Sequence, residues 1–203
     1  MKYKRKVAHT RQQIMDSFLN NLSKYDFETI TVDAIVKPIF LNRSTFYRYF
    51  DDKYDLLNQL EQQILQAINQ QLNHRSVMSN NDLIDQIALF CQSHAATLKI
   101  MLGSHGPSSF EHKLKTQMWQ HFKTSVPQKE KNNLELKLLG SLSITMVIHV
   151  LKESLLEHDN LDVKSSMTLL YSVVDRGIYK TVENSQFQNS QGTNFFIKTK
   201  RVW

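Results

Sequence analysis

The chain has 203 residues, of which 41% are hydrophobic, and 25 Lys/Arg against 19 Asp/Glu give it a formal net charge of +6. That length fits one small module plus a larger one, and the apolar fraction is sufficient for a core. A single cysteine, Cys91, excludes an internal disulfide and fits a reducing cytoplasm. We expect no signal peptide, no membrane span and no membrane partner, because no apolar run approaches the roughly 18 residues required.

Two helices are predicted first along the chain. Thr10 can cap a helix, because a threonine side chain accepts a hydrogen bond from a backbone N–H two or three residues on. Thr31 can cap a second, short helix from Val32 to about Lys37. The apolar stripe of the first helix consists of Ile14, Phe18 and Leu22.

A third helix is predicted over residues 43–50, capped by Asn42. Phe46 and Phe50 share one face at i and i+4, so that face can be buried. The other face has hydroxyl, phenol and guanidinium groups, which read base edges or bind phosphates in a DNA major groove. The predicted DNA-binding residues are Thr31, Arg43, Ser44, Thr45, Tyr47, Arg48, Tyr49 and Lys53.

These motifs are ordered and spaced as in a known family. FETITVDAI at 27–35 and STFYRYF at 44–50, followed by Lys53 and Leu56, resemble the DNA-binding domain of the TetR family of bacterial regulators over roughly residues 10–60. The resemblance implies an all-α fold, with an N-terminal three-helix helix-turn-helix module and a C-terminal helical bundle. We place the DNA-binding domain at 1–52 and the effector-binding and dimerisation domain at 53–203.

The turn departs from the family pattern in two ways. The family usually has Ala-Gly there, whereas this chain has Ile-Phe, ending at Phe40, and it has Pro38 nearby. Proline interrupts a helix, disfavours helical geometry at Lys37, and a positive φ at Phe40 would be strained. One interpretation is a tolerated local variant, and the other is impaired DNA binding. We expect the second helix to end at or before Lys37 and Phe40 to pack inward, against Phe46 or Leu22.

The positive charge is concentrated at the N-terminus. Residues 1–11 contain five Lys/Arg and no acid, and residues 1–50 contain nine Lys/Arg against four acids. Taken alone, such a segment is most simply a solvated tail. Beside a helix-turn-helix, phosphate contact is the better interpretation.

The rest of the chain is predicted to be helical. Asp51 or Asp52 can cap a helix over 53–73, and two late helices, at about 134–156 and 164–182, are apolar on more than one face. TetR-like proteins dimerise through their last two major helices, so the resemblance implies a homodimer. The alternative is an ordinary intrachain core. The predicted interface residues are Leu142, Met146, Val150, Leu170, Val174 and Ile178.

An effector pocket is the remaining candidate site. TetR-like proteins place one inside the bundle, and helical bundles host ligands between helices, although a Met and aromatic stripe equally suits a plain core. The predicted lining is Phe90, Met101, Phe110, Met118, Trp119 and Phe122. Neither metal-ligand spacing among the eight histidines nor a catalytic motif is present, so we expect no metal, no cofactor and no enzymatic activity.

The sequence thus predicts a cytoplasmic homodimeric transcriptional regulator, a repressor of a palindromic double-stranded DNA operator, with a possible small-molecule effector. The main alternative is a TetR-fold dimer that binds a ligand or protein and has lost or altered its DNA binding. A small helical enzyme is the second alternative.

Overall fold

The computed structural model describes residues 2–73, 80–125, 134–156 and 162–176, and these segments contain helices and turns but no strand. The all-α class is therefore confirmed. Two single 3₁₀ turns, Phe27–Thr29 and Lys37–Ile39, lie in the N-terminal module. The α-helices are α1 Lys2–Leu22, α2 Val32–Val36, α3 Arg43–Phe46, α4 Lys53–Asn73, α5 Asn80–Ser93, α6 Ala95–Leu102, α7 Ser108–Ser125, α8 Leu134–Leu156 and α9 Val163–Arg176.

Two helix starts show how well local caps predicted the boundaries. α4 begins at Lys53, as predicted, and the Asp52 carboxylate accepts a hydrogen bond from the Asp55 N–H at 2.8 Å. The expectation that Thr10 caps the first helix was wrong, because α1 already begins at Lys2. Residues 2–9 contain neither proline nor glycine, so nothing in them stops the helix from extending past Thr10 toward the N-terminus.

One hydrophobic cluster runs through both parts of the molecule. It includes Ile14 and Phe18 of α1, Phe46 of α3, Leu60 of α4 and Leu155 of α8, all buried. Because α4 contributes to this cluster along most of its length, it connects the helix-turn-helix to the bundle through packing as well as through the chain.

Polar contacts join α4 to α7. The Glu61 side chain, only 1% exposed, accepts a hydrogen bond from Ser109 Oγ at 2.6 Å and pairs with the Lys113 ammonium group. One turn further along, Gln117 Nε2 donates to the Leu65 backbone oxygen at 2.8 Å. Directional contacts of this kind fix the register of α7 against α4 more strictly than apolar packing does.

An apolar surface remains uncovered on α8 and α9. The exposed fractions of Leu138, Leu139 and Leu142 lie between 57% and 59%, and Leu169 of α9 is 44% exposed. Lys137–Leu156 is long and apolar enough to cross a membrane by length and composition alone, and only 22% of it is buried within the chain. Polar residues interrupt this segment, so it is not the uninterrupted apolar run considered above, but its mean hydropathy is high and its apolar content lies largely on the surface.

Candidate nucleic-acid interface

The first helix of the motif, α2, begins as predicted. The Thr31 hydroxyl accepts a hydrogen bond from the Ala34 N–H at 3.2 Å, and the helix ends at Val36. Ile35 and Val36 are buried, which holds α2 against α1. Thr31 itself is exposed, so its hydroxyl lies at the surface with a proton still to donate.

The chain passes Pro38 in a single 3₁₀ turn and not in an irregular loop. Lys37 stays in the right-handed helical region, with φ −60° and ψ −44°, so the expectation that the proline would push it away was wrong. Helical geometry would have directed an N–H of residue 38 at the Ala34 oxygen, and proline has none. Asn21 Nδ2 of α1 donates to that oxygen instead, at 3.2 Å.

A second side chain of α1 supports the same turn. Ser17 Oγ donates to the Ile35 backbone oxygen at 2.6 Å, and Asn21 Nδ2 also bonds the Ser17 oxygen at 2.8 Å. Both side chains are buried. Neither residue was predicted to have a role, although polar residues beside the apolar stripe of α1 are a signal that a backbone group needs a partner.

Phe40 closes the turn in an unexpected conformation. Its backbone is left-handed, with φ 56° and ψ 33°, and it is the one non-glycine residue with positive φ in the described part of the chain. The Leu41 N–H then reaches back to the Val36 oxygen at 3.0 Å, as in a Schellman motif. The ring is 96% exposed, so the expectation that Phe40 packs against Phe46 or Leu22 was wrong. The left-handed backbone at Phe40 directs its side chain toward solvent, away from the side on which Ile39 and Leu41 are half-buried.

Asn42 caps α3 as predicted and orients two hydroxyl groups. Its Oδ1 accepts from the Thr45 N–H, from Thr45 Oγ1 and from Ser44 Oγ, each at 2.8 Å. The helix ends at Phe46, four residues earlier than expected. The N–H groups of Arg48 and Tyr49 then bond three residues back, that of Tyr49 to the Phe46 oxygen at 2.9 Å, which tightens the chain into successive turns.

The faces of α3 and of the turns that follow it are disposed as the sequence predicted. Phe46 and Phe50 are buried, with ring centroids 5.6 Å apart. The predicted DNA-binding residues divide into an exposed group and a half-buried group. Exposed are Thr31, Arg43, Ser44, Tyr47 and Arg48, and half-buried are Thr45, Tyr49 and Lys53.

Arg43 is held in place by its neighbours. Its Nη2 donates to the Tyr47 hydroxyl at 3.2 Å, and its Nη1 lies 3.8 Å from a carboxylate oxygen of Asp33. The hydrogen bond to Tyr47 and the charge of Asp33 raise the pKa of this guanidinium, which stays cationic. Asp33 also pairs with Lys37 at 3.3 Å. Two basic side chains therefore lie beside α3, both at the solvent-exposed surface.

Lys53 is engaged more deeply than a free phosphate ligand would be. Its Nζ donates to the backbone oxygens of Phe27 at 3.0 Å and Glu28 at 2.8 Å, and it lies 4.7 Å from the centroid of the Phe27 ring. An ammonium group has three donors, so one remains for a phosphate. Lys53 both fastens α4 to the connector and presents charge near α3.

The basic N-terminal segment is part of α1. Arg5 and Lys6 are exposed on the helix. Arg11 serves the fold, because its Nη2 donates to Gln59 Oε1 at 2.6 Å and its guanidinium lies 5.6 Å from the Phe50 ring centroid.

The six predicted pocket residues lie in or against the hydrophobic cluster. Met101 and Phe110 are buried in it, and the partly buried members packed against it are Phe90, Met118, Trp119 and Phe122. An open cavity of about 600 Å³ lies elsewhere, between α5, α8 and the start of α9; its walls include Cys91, Leu155 and Val163. None of the six residues lines it. That the six surround an effector stays a prediction.

The predicted interface residues are only partly described. Leu142 is 59% exposed, and Met146, Val150 and Leu170 are half-buried. The side chain of Val174, and Ile178 altogether, lie outside the described part of the chain. No cluster of three or more His, Cys, Asp or Glu that could hold a metal occurs among the described residues.

Comparison with known proteins agrees with this geometry. Residues 14–60 match the family model described as bacterial regulatory proteins, tetR family. The solved structure of a TetR transcriptional regulator from Streptococcus agalactiae 2603V is 18% identical in sequence. The match covers 86% of this chain and 98% of that one, with a TM-score of 0.63. No curated protein matches the sequence.

The capped α2 and α3, the exposed polar face of α3 and the attached bundle define an all-α protein of the helix-turn-helix class. Its N-terminal module matches the tetR family of bacterial regulatory proteins over residues 14–60. The fold of the chain is similar to that of a TetR transcriptional regulator.

Proposed function

We propose that the protein is a homodimeric repressor that acts in the cytoplasm, binds a palindromic operator and releases it when a small effector binds. The observation that carries the DNA-binding part is the combination of a buried Phe46/Phe50 anchor and an exposed row of Arg43, Ser44 and Arg48 beside it. A short helix anchored in this way presents arginine and hydroxyl groups to base edges.

The dimer is supported by the uncovered leucines of α8. An isolated chain that leaves Leu134, Leu138, Leu139 and Leu142 more than half exposed gains by covering them. The helical spacing 134, 138, 142 makes this a continuous stripe. In a twofold dimer, the leucine stripe of one chain would pack against the same stripe of the other. The two helix-turn-helix modules would then bind half-sites about 34–36 Å apart.

The dimer is tested by sedimentation at micromolar concentration. Leu142→Asp should yield a folded monomer, because Leu142 is already 59% exposed in the single chain and the substitution disturbs little of its core. Tyr25→Asp, at a residue 56% exposed in the other module, is the matched control and should stay dimeric. A wild-type monomer at this concentration would overturn both the dimer and the palindrome.

Operator binding is tested by selecting sequences from a random DNA library with the full chain. We expect an inverted repeat and an affinity that falls steeply with salt. A reporter gene behind the selected site should be repressed. Enrichment of no sequence would favour instead a TetR-fold dimer that has lost operator binding, the alternative suggested by Pro38 and Phe40.

A further inference from the structure

Phe40 combines two features that folding alone does not explain. Its backbone occupies the left-handed region, which is unfavourable for every residue with a side chain except in small measure Asn and Asp. Its ring is 96% exposed and so contributes almost nothing to the core. Glycine would relieve the strain and would cost no packing, so the fold itself gains nothing from a phenylalanine here.

The turn places this ring beside the surface that faces DNA. Phe40 precedes the α3 cap Asn42 by two residues, a span of at most about 7 Å of chain. The Leu41–Val36 hydrogen bond and the buried contacts of Ser17 and Asn21 hold the turn rigid. The backbone therefore fixes where the Phe40 side chain leaves the chain, at the start of the third helix.

The surroundings of Phe40 suit DNA better than a protein partner. Lys37, 75% exposed at its side chain, and Arg43, 60% exposed, lie within three residues of it. Its neighbours Ile39 and Leu41 are half-buried, so Phe40 is a single exposed apolar side chain in this turn. The two nearby cations share one acid, Asp33, so the turn keeps a net positive charge. Protein-docking surfaces are contiguous apolar patches, whereas a lone apolar side chain among cations matches a thymine methyl group flanked by phosphates.

We propose that Phe40 is a specificity-determining residue that contacts the C5-methyl group of a thymine in each operator half-site. This inference rests on the proposed operator binding. Thymine is the base that offers an apolar group in the major groove, and its position would extend the sequence read by α3 toward the α2 side. The strained turn is then maintained because it directs the ring at DNA.

The test uses full-length wild type, Phe40→Gly and Phe40→Ala, with Tyr25→Ala as the matched control for loss of an exposed aromatic ring. Each protein is first used to select sites from a random library. Affinities are then measured for the selected duplex with each thymine replaced in turn by deoxyuridine, which lacks the methyl group but pairs identically.

For the wild type and Tyr25→Ala we expect deoxyuridine at one symmetry-related position to weaken binding about three- to tenfold, the range for removing one buried methyl. Phe40→Gly and Phe40→Ala should bind the thymine duplex about three- to tenfold more weakly, and deoxyuridine at that position should cost them nothing further. Thermal denaturation provides a folding readout: Phe40→Gly should melt roughly 2–4 °C higher because strain is relieved, and Phe40→Ala should not.

Three results would overturn the inference while leaving the proposed function intact. The first is that Phe40→Gly and wild type bind with equal affinity and the same base preference. The second is that deoxyuridine weakens the binding of Phe40→Gly and of wild type equally. The third is that Phe40→Gly melts at a lower temperature than wild type. Weaker binding of the Phe40 variants without any deoxyuridine effect would assign the ring to the sugar–phosphate backbone and would also reject the thymine contact. A wild-type protein that enriches no DNA sequence would overturn the proposed function together with this inference.

Discussion

Asn21 of α1 donates a hydrogen bond to the backbone oxygen of Ala34, the acceptor that Pro38 leaves without its helical donor. Asn21→Ala should therefore lower the free energy of unfolding by about 1–2 kcal/mol, because a partly buried carbonyl loses its partner. Urea denaturation measures this, with the exposed neighbour Asn20→Ala as a control that should change little. Adding Pro38→Ala to Asn21→Ala should recover part of the lost stability, since residue 38 regains an N–H that can bond the Ala34 oxygen. If the effects of the two substitutions are simply additive, Asn21 does not replace the donor that Pro38 lacks.

The buried Glu61 carboxylate depends on Lys113 for its charge partner. Lys113→Met should lower the free energy of unfolding by about 2–4 kcal/mol, because a 1% exposed carboxylate keeps only Ser109 as a donor. Lys115→Met, on the same helix, is the control. It removes a comparably exposed lysine from its pair with Glu111, which is more accessible to solvent, and should lower the free energy of unfolding by under about 1 kcal/mol. Equal losses in the two variants would show that Glu61 is solvated more fully than its burial indicates.

Arg48 is exposed on the side of the motif opposite the Phe46 and Phe50 anchor. Arg48→Ala should weaken operator binding by about 1–3 kcal/mol if the guanidinium contacts a base edge, and should relax the preference at that base. Fluorescence anisotropy with matched and mismatched duplexes measures both quantities. Lys99→Ala, at an exposed site on α6, serves as the control for loss of one positive charge. Unchanged binding by Arg48→Ala would contradict the orientation assigned to α3.

Lys53 serves both folding and the predicted phosphate contact. Lys53→Ala should weaken binding to all DNA sequences alike and make the salt dependence shallower by about one unit. The same change should reduce stability, because the Phe27 and Glu28 oxygens lose their shared donor. Binding and denaturation measured together separate the two effects. A loss confined to the specific operator would argue against a phosphate role.

Glu111 couples α7 to α8 in a pH-dependent way. Hydrogen bonds from Lys115 and then Lys152 lower the pKa of its carboxyl group. A folded-state pKa below the unfolded one stabilises the protein at neutral pH, and this contribution is lost as the pH falls through the folded-state value. Glu111→Gln should thus be less stable than wild type near pH 7, with the difference shrinking below about pH 4. A constant difference across that range would exclude this ionic contribution.

Local signals predicted the parts of the fold that local chemistry determines. The start of α4 follows from its cap and the helical stretch of α8 from its apolar residues, and the burial of Phe46 and Phe50 follows from their i, i+4 spacing. The similarity of residues 14–60 to the TetR family was recognisable because these motifs retain their order and spacing.

Features that depend on distant residues could not be read in this way. Ser17 and Asn21 signal in the sequence that some backbone group needs a partner, but not which one, since the oxygens they bind belong to a helix thirteen or more residues away. The outward ring of Phe40 follows from one backbone dihedral angle that no periodicity encodes. Lys53 was predicted as a surface cation, and its contacts with the Phe27 and Glu28 oxygens required knowledge of how the connector lies against α4.

The continuous hydrophobic cluster has a practical consequence for work with fragments. A piece ending near residue 52 would retain α1, α2 and α3. It would lose Leu56, Leu57 and Leu60 of α4, whose side chains belong to the same cluster as Ile14 and Phe46. It would also lose the Lys53 and Gln59 contacts that brace the connector and α1. We therefore expect that the predicted DNA-binding surface does not fold as a detached unit, and that limited proteolysis within α4 abolishes it along with the bundle.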